Sequence, residues 1–165
     1  MPTALVRNGR VVTASESYEA DLYVEGGRVA LVGQGLSLPA DTVVDASGCL
    51  VLPGGIDAHT HLDMPAGEIT SADDFETGTR AAAFGGTTTV VDFATPEPGQ
   101  SLLAALDTWR SKAEGQAVVD YGFHMALREV GETTLAEMAR LTRDEGVASF
   151  KLYLAYPGVL QVDDA

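Results

Sequence analysis

From residue 50 onward, strand-like and helix-like segments alternate, and that alternation restricts the chain to folds in which helices cover a parallel sheet. A strand is expected over Leu50–Ile56, ahead of a polar tip. Ser71-Ala-Asp-Asp74 then offers an N-cap with acidic residues in the first turn of a helix, which Gly85-Gly86 ends. Thr87–Phe93 is β-branched and apolar enough for a buried parallel strand. Ser101 opens a second helix with Leu102, Leu103, Leu106 and Trp109 on its apolar face, and Val118–Leu127 is the next strand. Thr134 with Glu137 three residues on makes a capping box for a helix running to Glu145, with Gly146 as its stop. Ala148–Leu154 closes the series as a fourth strand. The order βαβαβαβ fits either an open doubly wound sheet or an eightfold barrel.

The first fifty residues read differently. Short β-type runs at Ala4–Val6, Val11–Thr13, Asp21–Val24, Val29–Val32 and Thr42–Asp45 predict a small antiparallel, sandwich-like region over 1–50. Gly26-Gly27 between two of them suits a tight hairpin, because glycine accepts the positive φ of primed turns. Residues 51–165 are then the first half of a barrel, since a complete (β/α)₈ barrel takes about 250 residues. A half barrel has two open edges, and Val162-Asp163-Asp164-Ala165 reads as the start of another helix. The expectation is therefore a piece of a longer polypeptide.

Charge and composition remove several function classes. With 24 acidic and 10 basic side chains the formal charge is −14, which argues against a nucleic-acid partner. The apolar runs are short and broken, far from the roughly 20 residues that a membrane span needs. No apolar signal segment with a small-residue cleavage site follows Arg7 and Arg10, so the cytoplasm is the expected compartment. The single cysteine, Cys49, cannot form an internal disulfide and is expected to be a small buried apolar residue. Neither a G-x-G-x-x-G nor a Walker-type loop follows any strand, which leaves a nucleotide-binding module without support.

Two features carry chemistry. His59 and His61 follow the apolar run Leu50–Ile56; two apart in extended backbone, their imidazoles point the same way at the carboxyl end of the first parallel strand. Active sites of barrels lie at that end, and paired neutral imidazoles offer half of a first-row metal site. Asp57 and Asp92 could accept an imidazole N–H. Lys151 lies within Ala148-Ser-Phe-Lys-Leu-Tyr-Leu-Ala155, where a buried ammonium must pair, snorkel or lose its charge. An uncharged amine there could take up carbon dioxide as a carbamate and bridge two cations about 3.5 to 4 Å apart. The remaining histidine, His124, sits in an interior strand and is expected to make structural hydrogen bonds.

Three ordered blocks go further. Gly54-Gly-Ile-Asp-Ala-His-Thr-His-Leu-Asp-Met-Pro65, Ala81-Ala-Ala-Phe-Gly-Gly-Thr-Thr-Thr-Val-Val-Asp-Phe93 and Ser149-Phe-Lys-Leu-Tyr-Leu-Ala-Tyr156 together resemble the dihydropyrimidinase and D-hydantoinase family of the amidohydrolase superfamily, in its amino-terminal part. The resemblance implies a binuclear zinc hydrolase of cyclic amides, with two Zn²⁺ bridged by carboxylated Lys151 and a metal-bridging hydroxide as nucleophile. It implies His59 and His61 as ligands of one metal, and Tyr156 as the hydroxyl that stabilises the tetrahedral intermediate. Met64, Tyr153 and Leu160 are implied around the substrate side chain. Related dihydroorotases usually carry Arg where this chain has Asp63, an acid that would repel a carboxylate, so 5,6-dihydropyrimidines or 5-substituted hydantoins are preferred over dihydroorotate. The remaining metal ligands of the family have no counterpart in the chain, so by itself it is expected not to hydrolyse substrate. A homotetramer follows by resemblance only. The competing readings are a non-catalytic assembly protein of the same fold, and a dihydroorotase- or allantoinase-type enzyme.

Overall fold

The structure, a computed structural model, describes residues 1–162. They fall into two compact units that divide between Pro53 and Gly54.

The first unit is a five-stranded sheet. It comprises β1 (Thr3–Val12), β2 (Ser17–Glu25), β3 (Arg28–Gly33), β4 (Thr42–Asp45) and β5 (Leu50–Val51). The order β3-β2-β1-β4 has β5 also paired to β1. The β2–β3 hairpin turns at Gly26 and Gly27, whose φ values of 58° and 77° glycine adopts without the steric cost that a side chain brings. The two runs expected at Ala4–Val6 and Val11–Thr13 are one strand, interrupted by a register shift between Val6 and Gly9. The sheet is mixed and not purely antiparallel, because β4 and β5 both run parallel to β1. The expected strand Leu50–Ile56 also divides. Leu50 and Val51 join this sheet, and Pro53, without an N–H to give a ladder, separates them from Gly55 and Ile56, which belong to the second unit.

The second unit contains β6 (Gly55–Thr60), a small hairpin of β7 (Pro65–Ala66) and β8 (Ile69–Thr70), α1 (Phe75–Phe84) and β9 (Thr87–Ala94). It continues with α2 (Leu102–Ala113), β10 (Asp120–Ala126), α3 (Glu132–Asp144) and β11 (Phe150–Lys151). Its sheet has the order β11-β10-β9-β6, with every pair parallel. Each strand thus lies beside its predecessor in the chain. A doubly wound sheet reverses order at a switch point, whereas winding in one direction is the barrel pattern. The α1 helix packs on α2 and α2 on α3, so the helices stand side by side. Between them and the strands lies the core of Phe75, Leu102, Leu106, Trp109, Phe123, Met125, Leu127 and Leu141 with smaller neighbours. Gly54 leads into β6 where an added Cβ would collide with the Thr88 side chain, so the close approach of β6 to β9 needs a residue with no side chain.

Helix boundaries follow local chemistry with one exception. Asp74 caps α1 in a reciprocal box with Thr77, and Ser101 caps α2 through the Ala104 N–H. The α3 helix begins at Gly131 with no side-chain cap, so the expected Thr134/Glu137 box is absent. Instead the Glu137 carboxylate accepts the Leu102 N–H at 2.8 Å, serving the first turn of α2. The last strand is shorter than Ala148–Leu154, since only Phe150 and Lys151 pair, with Met125 and Ala126. Cys49 is exposed, not buried. No helix among the described residues is long and apolar enough to cross a membrane.

Candidate active site

The face of the sheet opposite the helices is set by strand alternation. Phe123 and Met125 of β10 enter the helix-covered core, which turns His124 to the other side, and the register places His124 beside Phe93 of β9. His59 near the end of β6, His61 just beyond it and Lys151 of β11 gather on the same ring. The centroid of Phe93 lies 4.6 Å from His59, 5.0 Å from His61 in a near-parallel stack, and 4.8 Å from His124. The Lys151 Nζ sits 4.0 Å from that centroid. The two ligand-candidate imidazoles are 5.2 Å apart, edge to face. Lys151 Nζ approaches His59 Nε2 at 3.4 Å, which ties the first parallel strand to the fourth.

Surrounding groups hold these side chains in place. His124 Nε2 donates to the Ala58 carbonyl at 2.9 Å, and because a carbonyl can only accept, Nδ1 takes the Ser149 hydroxyl. One ring therefore links the segments preceding His59 and Lys151, the structural role expected of it. Asp92, fully buried, does not reach an imidazole. Its carboxylate accepts from the Thr60 hydroxyl at 2.9 Å, the Leu62 N–H at 2.7 Å and the Phe93 N–H at 2.7 Å. It fastens the Thr60 side chain and the Leu62 backbone, on either side of His61. Asp57 likewise accepts the His59 backbone N–H.

Burial pushes the His61 imidazole below its ordinary value of 6.5, the Lys151 charge adds to this, His59 contributes further, and Asp92 pulls the other way. Its Nδ1 is buried without a hydrogen-bond partner among the described residues. An orphaned imidazole nitrogen beside a second imidazole and an amine is a donor set that a first-row metal fits. The set is partial: among the described residues, no three His, Cys, Asp or Glu converge.

The other expected site residues are placed less uniformly. The Tyr153 ring lies 4.9 Å from Lys151 Nζ and 6.1 Å from the Tyr156 ring, so a row Lys151–Tyr153–Tyr156 leads outward from Phe93. Tyr156 is exposed and adopts φ 65°, a left-handed conformation that costs a non-glycine residue about 1 to 3 kcal/mol. Leu160 donates its N–H to the Tyr156 carbonyl within the same turn. Met64 opens the β7–β8 hairpin, held through its N–H by the Ser71 hydroxyl. The Asp63 carboxylate pairs with Lys112 Nζ at 3.2 Å, and the same Nζ donates to the Asp63 carbonyl at 2.6 Å. Lys112 and Arg128 lie outside the three blocks, and Phe93 ends the second block without having been singled out as a site residue. The only available signal was strand parity, which puts Phe93 on the face of His124.

A one-way wound parallel sheet with imidazoles and a lysine gathered at its strand ends defines a barrel-type scaffold with a candidate active site at the carboxyl ends of its strands. The family model that matches is the amidohydrolase family, over residues 50–157, and the chain belongs to that family. It is 50% identical over 162 residues to a D-hydantoinase of Geobacillus stearothermophilus, covering 98% of this chain and 34% of that protein. It is 53% identical over 165 residues to a D-hydantoinase of Streptomyces coelicolor, covering 97% and 35%. The crystal structure of dihydropyrimidinase from Brevibacillus agri superposes with a TM-score of 0.94 at 48% identity, covering 98% of this chain and 35% of that one. The chain thus spans about a third of the length of these relatives.

Proposed function

We propose that the chain contributes to a zinc-dependent hydrolase of cyclic amides, acting on 5,6-dihydropyrimidines or 5-substituted hydantoins. One observation carries this reading: His59 and His61, at and just beyond the end of one outer strand of the parallel sheet, and Lys151 of the other converge on the Phe93 ring. The names of the relatives supply the substrate class; Asp63, paired with Lys112, does not.

His59 and His61 would hold a metal through ring nitrogens. The Lys151 amine, once deprotonated, adds to carbon dioxide. An N–C bond forms as one C=O π pair of carbon dioxide moves onto its oxygen, the nitrogen gives a proton to solvent, and the side chain ends in a carbamate anion with two oxygen donors. Bound there, zinc would supply a Lewis acid for the ring carbonyl and lower the pKa of an attacking water. Tyr156 presents its hydroxyl as a donor to the oxygen that gains charge when the carbonyl becomes tetrahedral. Tyr153 walls the amine from the mouth, and the apolar Met64 and Leu160 suit an uncharged exocyclic group. Asp92 keeps the backbone around His61 from relaxing when a metal binds.

The test uses the full-length polypeptide of the gene, purified with Zn²⁺ and bicarbonate, with loss of dihydrouracil or hydantoin followed by absorbance. Turnover that a chelator abolishes and zinc restores is the expected result. A protein with its full metal content and no turnover overturns the reading, and a folded protein that binds no zinc favours a non-catalytic assembly role.

A further inference from the structure

Arg128 lies immediately beyond β10 and takes no part in the group around Phe93. Its position is nevertheless tied to that group, because the neighbouring Leu127 N–H donates to the Lys151 carbonyl at 2.9 Å. The guanidinium bridges two loops. Nε donates to the Pro96 carbonyl at 2.6 Å, in the segment that follows β9, and a terminal nitrogen donates to the Val159 carbonyl at 2.7 Å, in the turn that follows Tyr156. Among the described residues no carboxylate pairs with it, although Glu97, Glu129 and Glu137 line the same cavity of about 360 Å³.

The turn it reaches is unusual. Tyr156 is held at φ 65°, and its carbonyl accepts the N–H groups of Val159, Leu160 and Gln161 at 3.0, 3.0 and 3.2 Å. Val162 N–H closes the base on the Tyr153 carbonyl at 3.0 Å. These bonds shape the turn without fixing where it stands above the sheet. Among the described residues, the side-chain hydrogen bond that reaches it from elsewhere is that of Arg128. A planar fork of five N–H donors can hold two carbonyls from two loops in one plane, which a flexible ammonium cannot do.

We propose that Arg128 is a positioning residue that fastens the Tyr156 turn to the loop after β9 and so sets where the Tyr156 hydroxyl is presented. The inference rests on the reading of Tyr156 given under Proposed function. Arg128 touches no substrate; it acts through Tyr156, so its removal lowers kcat more than it raises KM.

The test compares Arg128→Lys, Arg128→Ala, Tyr156→Phe and the double variants in the zinc-loaded full-length polypeptide. Arg128→Lys is expected to lower kcat by about 10- to 100-fold with KM changed less than about threefold. In the Tyr156→Phe background the same substitution is expected to change kcat by less than about twofold, because the hydroxyl it serves is gone. Fully additive losses, or a change confined to KM, overturn the role of Arg128. A Tyr156→Phe variant as fast as the parent sinks the reading of Tyr156 itself, a different failure. Hydrogen exchange gives a second measure that needs no turnover. The amides of Leu160 and Gln161 are expected to exchange about 10-fold faster in Arg128→Ala, with the β9 and β10 amides unchanged, and unaltered protection in that turn overturns the clamp.

Discussion

The two units each bury one aspartate, and the contrast between those carboxylates separates a scaffold from a site. Asp21 of the first unit accepts the N–H groups of Asn8 and Leu36, both at 2.8 Å. Asn8, at φ 62°, stands in the register shift of β1, so Asp21 secures an irregular strand and the loop beyond β3. Asp92 of the second unit also accepts two backbone N–H groups, those of Leu62 and Phe93, and adds the Thr60 hydroxyl, so that two of its three partners flank His61. Similar chemistry thus fixes a bulge in one place and the segment that carries His61 in the other. The surroundings differ as well. The helices of the second unit close a continuous apolar core, whereas Val43 and Val44 of β4, on opposite faces of their strand, are both exposed. Apolar sequence in the first unit is a poor guide to burial.

The sharpest way to break this comparison is Asp92→Ala. It removes the buried carboxylate that accepts the Leu62 and Phe93 N–H groups and leaves the Thr60 hydroxyl only the Val91 carbonyl, and the expected loss is about 2 to 4 kcal/mol in urea unfolding, together with loss of zinc retention, which plasma emission would quantify. Stability lost with zinc binding intact would reduce Asp92 to a scaffold residue like Asp21. Next in size is a pair: Leu141→Ala, at a position with no exposure, should cost about 2 to 4 kcal/mol, and Val44→Ala, 45% exposed, less than about 0.5 kcal/mol. Equal losses would erase the distinction between the units.

Acid supplies two gentler tests. The Asn8 and Leu36 N–H groups hold the Asp21 carboxyl below its ordinary 3.8, so its contribution is complete above that value and fades as pH falls through the lower folded one. Asp21→Asn should flatten the fall of Tm in that acidic range and leave the neutral range alone. The smallest effect belongs to His61. Its folded pKa lies below 6.5, so in metal-stripped protein the unfolded chain takes the proton first, and stability begins to fall as pH drops below 6.5. An imidazole resonance titrating above 6.5 would contradict the burial that sets it apart.

Much of the fold was legible because alternation of period and glycine stops are local signals. The βαβαβαβ order, the cap at Ser101 and the hairpin at Gly26-Gly27 all follow from neighbours in sequence, and the helix start offered by Ser71–Asp74 is realised at its last residue, where Asp74 is the cap and not a first-turn acid. The failures come where a distant partner competes. Glu137 is placed for its own helix yet serves Leu102, and Leu50–Ile56 is one apolar run divided between two sheets. In the site, the spacing of His59 and His61 shows their shared direction, and Lys151 shows itself by its apolar strand. Asp92 was legible as a support but not in its target, since a carboxylate meets backbone N–H groups that every residue carries. Arg128 was invisible for the same reason: Pro96 and Val159 offer it only carbonyls.

The one-way order of the parallel strands also bears on how the chain is made. Thr60 meets Asp92, Phe93 meets His124 and Met125 meets Phe150, so each new strand finds its partner in the segment synthesised just before it. On a ribosome the sheet can therefore grow in step with translation, each βα increment docking on the strand already made as it leaves the exit tunnel.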